Sequence, residues 1–172
     1  SFPTRRSSDL GLREAKSDLV GVALFDRLDR EPNENAPLME MMWKRREIEN
    51  YFCTREVLLA YAQKDLGDDL FSHEERQRRV QIMEDAIESI AGSLSNLGRP
   101  SPWSVDIKVT DDFLDPLFKK YSEKLGLPLV LRKNEYYKLA SLVDAESIDT
   151  EVREKLDAIL AVAEKARIRE ST

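Results

Sequence analysis

The apolar and polar positions give the chain two textures. Leu19-Val20-Gly21-Val22-Ala23-Leu24-Phe25 is an unbroken apolar run that breaks off into Asp26-Arg27-Leu28-Asp29-Arg30. A short run rich in valine and leucine, with no apolar–polar alternation, is how a strand covered on both faces reads. Leu38 to Trp43, with methionines at 39, 41 and 42, reads as a second strand. The polar segment between them is punctuated by Pro32 and Pro37, a loop signal. Leu12 to Asp18 suits the end of a helix that feeds the first strand.

From residue 54 the period becomes helical. Thr54 can cap a helix through about Lys64, with Val57, Leu58 and Tyr61 on one face. Ser72-His73-Glu74-Glu75 has the form of a capping box. The helix it would open carries Val80, Met83, Ile87, Ile90, Leu94 and Leu97 at alternating spacings of three and four. That seam predicts a bundle or domain-packing helix, with a homodimer contact as the lesser alternative. Gly98-Arg99-Pro100-Ser101-Pro102 breaks the chain, and Trp103 to Val109 reads as extended. Asp115-Pro116 reads as a cap and first helical residue. Leu117, Phe118, Tyr121 and Leu125 then face inward and Gly126 ends the helix. Asn134 opens another helix with Tyr136, Leu139, Ala140 and Val143. Asp149 or Thr150 starts the last, whose stripe is Val152, Leu156, Ile159, Ala163 and Ala166. The predicted fold is an α/β remnant, two or so strands of a parallel sheet, followed by a mainly α-helical C-terminal half.

Composition narrows the function classes. At 172 residues, 41% hydrophobic and 35% charged, the chain can build one real core. Its net charge of −6 argues against coating nucleic acid by bulk charge and leaves room for a local basic groove. No apolar run is long enough to span a bilayer and nothing resembles a secretory signal, so a cytoplasmic protein without membrane partners is expected. The single cysteine, Cys53, excludes an internal disulfide and a cysteine-based zinc cluster. His73, the one histidine, reads as a surface residue. Residues 1–10 have no period and no initiator methionine, and they resemble translated sequencing adapter, so fold reasoning leaves them out. On that reading the natural frame continued upstream. The expected organisation is an adapter-derived stretch 1–10, a partial α/β region 11–71 and a helical region 72–172.

Asp26 is the first candidate site residue, because open α/β sheets bind ligands beyond the carboxyl ends of their strands. Asp29 lies one short turn further on. The plain alternative is a strand followed by a solvated, charged turn. Closely spaced carboxylates can hold Mg²⁺, and two metals so held can activate water against a phosphodiester. Glu47 or Glu49 could supply another ligand. Lys44-Arg45-Arg46, beside Trp43, could track a phosphate backbone. Its alternative is a charged helix start with the tryptophan in the core.

Leu24-Phe25-Asp26-Arg27-Leu28-Asp29-Arg30 together with Arg46-Glu47-Ile48-Glu49-Asn50-Tyr51 resembles the TOPRIM half of ATP-dependent endonucleases of the OLD (overcoming lysogenisation defect) type. Similar regions follow the ATPase of many bacterial AAA-type defence proteins. Lys108 to Leu114 and Glu151 to Ile159 share the likeness, which covers roughly residues 19 to 166. The resemblance implies a metal set of Asp26, Asp29 and Glu49, and catalytic roles for Asp26, Glu49 and Lys133. The second aspartate of the family pair would fall at Leu28, so Asp29 would have to stand in. The family's first acidic strand would precede residue 19. No Gly-x-x-x-x-Gly-Lys-Ser/Thr occurs, so ATP would be bound by an upstream ATPase half. The implied protein is the C-terminal fragment of an endonuclease dependent on ATP and on Mg²⁺ or Mn²⁺, acting on DNA in phage defence and inactive alone. Two alternatives remain: a non-catalytic helical interaction or regulatory module of an AAA-type ATPase, and, last, a phosphatase of the haloacid dehalogenase class. The latter expects Asp-x-Asp followed by Gly-Thr, which Arg27 to Arg30 does not supply.

Overall fold

The computed structural model describes residues 20–29, 31–32, 38–64, 66–67 and 70–165, the side chain at position 70 excepted. The adapter-like segment 1–10, the expected helix end at 12–18, Leu19, Arg30, most of the proline loop and Ala166 lie outside the described residues. The chain separates into two compact units, one of residues 1–43 and 149–172 and the other of residues 44–148. The expected boundary between residues 71 and 72 falls inside the second.

In the first unit β1 (Gly21–Phe25) and β2 (Leu38–Met42) form a two-stranded parallel sheet, in register from Gly21 opposite Leu38 to Phe25 opposite Met42. The Trp43 N–H extends the ladder by donating to the Phe25 carbonyl at 3.0 Å. Glycine at 21 suits a close approach: a Cβ there would lie 3.0 Å from Leu38 Cδ1. Helix α4 (Thr150–Lys165) packs beside β1. It opens where expected, with the Asp149 carboxylate accepting from the Glu151 N–H at 2.9 Å. The apolar run predicts a strand covered on both faces, yet all five residues of β1 are only half-buried. Among the described residues β1 has one partner strand and one helix, which leaves part of its surface open. The α4 stripe is partly open too: Val152 and Ile159 are half-buried, Leu156 is 53% exposed, and Leu160 outside the stripe is 60% exposed.

The second unit is helical. Helix α1 (Arg55–Gln63) is capped by Thr54, whose hydroxyl accepts from the Val57 N–H at 3.3 Å. It packs on α2 (Leu70–Asn96), which packs on α3 (Asp115–Leu125). Leu58, Met83, Phe113, Leu117, Phe118 and Leu139 are fully enclosed in the core between them. Tyr61 meets Phe118 edge-on at 5.2 Å, and Phe118 stacks on Tyr136 at 5.7 Å. Such pairs add about 1 kcal/mol beyond the area they bury.

Local geometry departs from the sequence reading at four places. Helix α2 begins at Leu70, so Ser72 sits inside its first turn and is not the cap. The seam ends at Leu94, and Leu97 is 73% exposed. Gly98, at a φ of 64°, lets the Arg99 N–H turn back to the Leu94 carbonyl at 2.9 Å and close the helix. Residues 103–108 form turns, not an extended segment, because no strand lies alongside among the described residues and the carbonyls of Ser104, Val105 and Ile107 are claimed from the 44–52 loop. Helix α3 is entered through a π-helical turn, Thr110–Leu114, in which the Asp115 N–H donates to the Thr110 carbonyl. Pro116 explains the widening: it has no N–H for the Asp112 carbonyl, and its ring would crowd that oxygen in a continuous α-helix.

The fourth departure is Lys133–Leu142, a ten-residue 3₁₀ helix where an α-helix is expected. Runs longer than three or four residues are uncommon in this geometry. The apolar spacing accounts for it. Tyr136, Leu139 and Leu142 recur every three residues and therefore share one edge of a three-fold helix. Tyr136 and Leu139 are buried, whereas Ala140, which a 3.6 period would bring inward, is exposed.

The half-buried strand should open more readily than the enclosed helix. Amides of residues 22–25 are expected to exchange hydrogen faster than those of residues 80–92 under native conditions. Slower exchange in β1, read by mass spectrometry, would overturn this ranking.

Candidate functional site

Asp26 stands immediately past the carboxyl end of β1, and its side chain is exposed. The Leu28 N–H donates to Met42 Sδ at 2.9 Å, folding the turn back over the end of β2. Asp29 follows, also exposed. These are hard oxygen donors of the kind Mg²⁺ prefers. Two carboxylates are nevertheless an incomplete set, and among the described residues no three His, Cys, Asp or Glu side chains gather in a group able to hold a metal. The residues do not by themselves make a magnesium centre. Asp26 and Asp29 belong to the strand unit, Glu49 and Lys133 to the helical unit.

The block Arg45 to Tyr51 is built into the architecture of the helical unit. Asn50 is its centre, 4% exposed. Its side-chain oxygen accepts from the Glu47 N–H at 2.9 Å, and its amide nitrogen donates to the carbonyls of Ser104 at 3.3 Å and Ile107 at 3.2 Å. The Arg46 N–H adds a bond to the Val105 carbonyl at 2.9 Å. Glu47, weighed as a metal ligand, spends both carboxylate oxygens on Thr110: one accepts the backbone N–H at 3.0 Å, and both lie 2.9 Å from the hydroxyl. That caps the π-helical entry to α3. Glu49 lies in the 3₁₀ turn Ile48–Tyr51, where its carbonyl accepts from Cys53 N–H at 2.9 Å; its side chain is half-buried.

Within the expected nucleic-acid run, Lys44 and Arg46 are exposed. Arg45 is turned inward: its guanidinium donates to the Asn50 carbonyl at 3.1 Å and lies 4.9 Å from the centre of the Tyr51 ring. Tyr51 in turn accepts the Arg45 N–H at 3.2 Å. Cys53 is buried and its thiol is pushed far up by desolvation, which suits a packing role. His73 is exposed, with Gln77 3.1 Å away.

Lys133 is placed beside charge. Its ammonium and that of Lys108 both bond the Asp111 carboxylate, one to each oxygen. Asp111 is held below the ordinary aspartate range, first by the bond from Lys108 and then by that from Lys133. Both lysines are pushed up chiefly by Asp111, with Glu47 adding attraction across the cluster. One turn on, the Tyr136 hydroxyl donates to Asp115 at 2.5 Å. Burial raises Tyr136, and the Asp115 carboxylate raises it further, so it stays a donor. Beside this pair opens a groove of about 830 Å³, lined by Asp115, Lys119, Leu129, Arg132, Lys133, Asn134 and Tyr136. The sequence reading missed the groove. Its residues lie on two stretches, 115–119 and 129–136, and the one local signal is the Arg132-Lys133 pair.

Compared with known proteins, the chain matches no family model, no curated protein and no solved structure.

Two outcomes follow from these bonds. Asn50→Asp keeps the shape but loses both side-chain donors and sets a charge among carbonyls. It should lower unfolding free energy by about 3 kcal/mol, the cost of leaving buried partners unmet; urea denaturation measures it. Asp111 gives a pH dependence. A carboxyl depressed in the folded state stabilises it above the unfolded value, about pH 4, and that contribution is lost as pH falls through the depressed value. The effect is small, because all three side chains are more than one-third exposed. Asp111→Asn should therefore flatten the acid side of the stability–pH curve, and a parallel curve would refute the assignment.

Proposed function

We propose that this chain contributes to a metal-dependent DNA endonuclease of the OLD/TOPRIM-like kind, with Asp26 as its metal-facing carboxylate and Asp29 beside it. The observation that carries the reading is the position of Asp26: exposed, one residue beyond the carboxyl end of a parallel strand. A carboxylate there is free to meet a ligand, and parallel sheets put their ligand sites at that end. Two carboxylates do not position a phosphodiester, so groups supplied from elsewhere would complete the centre, and ATP would be bound outside this chain. Glu49 and Lys133 stay within the proposal as the family's later glutamate and lysine. Lys133 would then have to exchange its bond with Asp111 for substrate.

A second reading has its own support. In the Ile48-Glu49-Asn50-Tyr51 block that carries the family likeness, Asn50 and Tyr51 are buried, as is Glu47 just ahead of it, and all three bond between or within loops, while Ile48 is exposed and Glu49 half-buried. A helical interaction or regulatory module needs that architecture and no metal. No helix among the described residues is long and apolar enough to cross a membrane, which suits either reading.

Metal separates the two. The nuclease reading expects weak Mn²⁺ binding by the chain, lost in Asp26→Asn and reduced in Asp29→Asn, while plasmid DNA stays intact with Mg²⁺ or Mn²⁺. Calorimetric titration reads the first result and gel electrophoresis the second. Unchanged Mn²⁺ binding in Asp26→Asn removes Asp26 from the site and leaves the interaction module as the better account.

A further inference from the structure

We propose that the groove beside α3 and the 3₁₀ helix 133–142 binds the phosphodiester backbone of a single-stranded nucleic acid, with Lys119 and Arg132 as its phosphate contacts. The ligand class rests on the nuclease reading; the groove itself does not depend on a metal.

The charge inventory of the groove singles out these two residues. Of its charged lining, Asp115 is engaged by the Tyr136 hydroxyl and Lys133 by Asp111. Lys119 and the Arg132 guanidinium make no hydrogen bond or ion pair among the described residues. Glu135 feels the Arg132 charge, but its carboxylate is taken by Lys138 at 2.5 Å. A chain with 33 acidic and 27 basic residues has carboxylates to spare. Two cations left unpaired in the lining of one groove therefore form a positive spot on a negative protein, which attracts phosphate and focuses its approach.

The walls add a second argument. They come from the start of α3, which carries Asp115 and Lys119 directly after the π turn, from Leu129 and Arg132 in the link, and from the start of the long 3₁₀ helix. π turns recur at functional sites, and a 3₁₀ run of this length is uncommon. Here the Asp111–Lys133 and Asp115–Tyr136 bonds tie α3 and its π turn to the 3₁₀ helix, and the link that leads into it leaves Arg132 exposed.

The apolar share of the lining selects the ligand. Leu129, 47% exposed, lines the groove together with Tyr136, which is itself buried. A free inorganic anion would use the cations and leave that surface wet. A single strand offers phosphates to the cations and flat bases to the apolar wall, the pairing that single-strand binders exploit. A duplex keeps its bases stacked inside and cannot make the second contact.

The test is fluorescence anisotropy of a labelled oligothymidylate with the whole chain in EDTA, across a series of salt concentrations. The unmodified chain should bind, with a log–log salt slope that falls by about 1.4 in Lys119→Gln/Arg132→Gln as two single-strand phosphate contacts go. Affinity at low salt should fall at least about tenfold. Both side chains are free of intramolecular bonds, so melting temperature should be unchanged. Lys124→Gln, which removes one positive charge from exposed α3 surface outside the groove, should bind like the unmodified chain. Absence of oligothymidylate binding, an equal loss in Lys124→Gln, preference for duplex, or binding of tripolyphosphate without the oligonucleotide would each overturn the proposal. Because EDTA removes metal, failure here leaves the Asp26 reading standing, and failure of the Mn²⁺ titration leaves the groove standing.

Discussion

The helical unit depends on one arrangement of buried polar groups: a carboxylate and a carboxamide, Glu47 and Asn50, that tie the 44–52 loop to residues 104–110. Neither loop has a regular partner for its backbone. Buried N–H and C=O groups must still be met, and an unmet one costs more than a made bond returns. Asn50 meets three of them and Glu47 meets the entry to α3. Among the described residues no buried side-chain nitrogen or oxygen lacks a partner. The long helices can then pack by their apolar faces because the irregular connections between them have been solved locally.

That arrangement changes what the charged and polar residues of the chain mean. Arg45-Arg46-Glu47 looks, in sequence, like a basic run followed by a candidate metal ligand. In the fold Arg45 is held over Tyr51, Arg46 anchors through its backbone, and Glu47 is a cap. A resemblance resting on these positions can thus reflect a shared way of stitching loops as readily as shared chemistry. Asp26 differs, because nothing in the described architecture consumes it and its carboxylate is exposed at a strand end.

What was legible in the sequence follows the range of the forces involved. Thr54 and Gly126 were readable because a cap and a left-handed stop are settled within four residues. The parallel strands were readable as short unbroken apolar runs, and the α2 seam because burial of one face imposes a helical period. Ser72 was misread because Leu70 and Phe71 extend the helix ahead of it, although the local motif was complete. The 3₁₀ helix was missed because Tyr136, Leu139 and Ala140 satisfy a helical template, and only packing decides between a period of 3.0 and one of 3.6. The partners of Glu47 and Asp115 could not be read at all: Thr110 is 63 residues away and Tyr136 is 21.

The same distinction between consumed and available groups ranks the charges for function better than their density along the chain. Lys44-Arg45-Arg46 is the densest basic run in the chain's first half, yet its central cation is committed to an aromatic ring and a carbonyl. Lys119 stands next to Lys120 on α3, and Arg132 next to Lys133 after a leucine-rich link. Neither pair stands out from the many other charges of the chain. A surface ion pair is worth little, so forming one more would have cost the fold little. Leaving these two cations unpaired beside a partly apolar groove keeps an accessible surface for an anion with an apolar body. The groove is therefore the part of this molecule whose composition is least explained by stability alone.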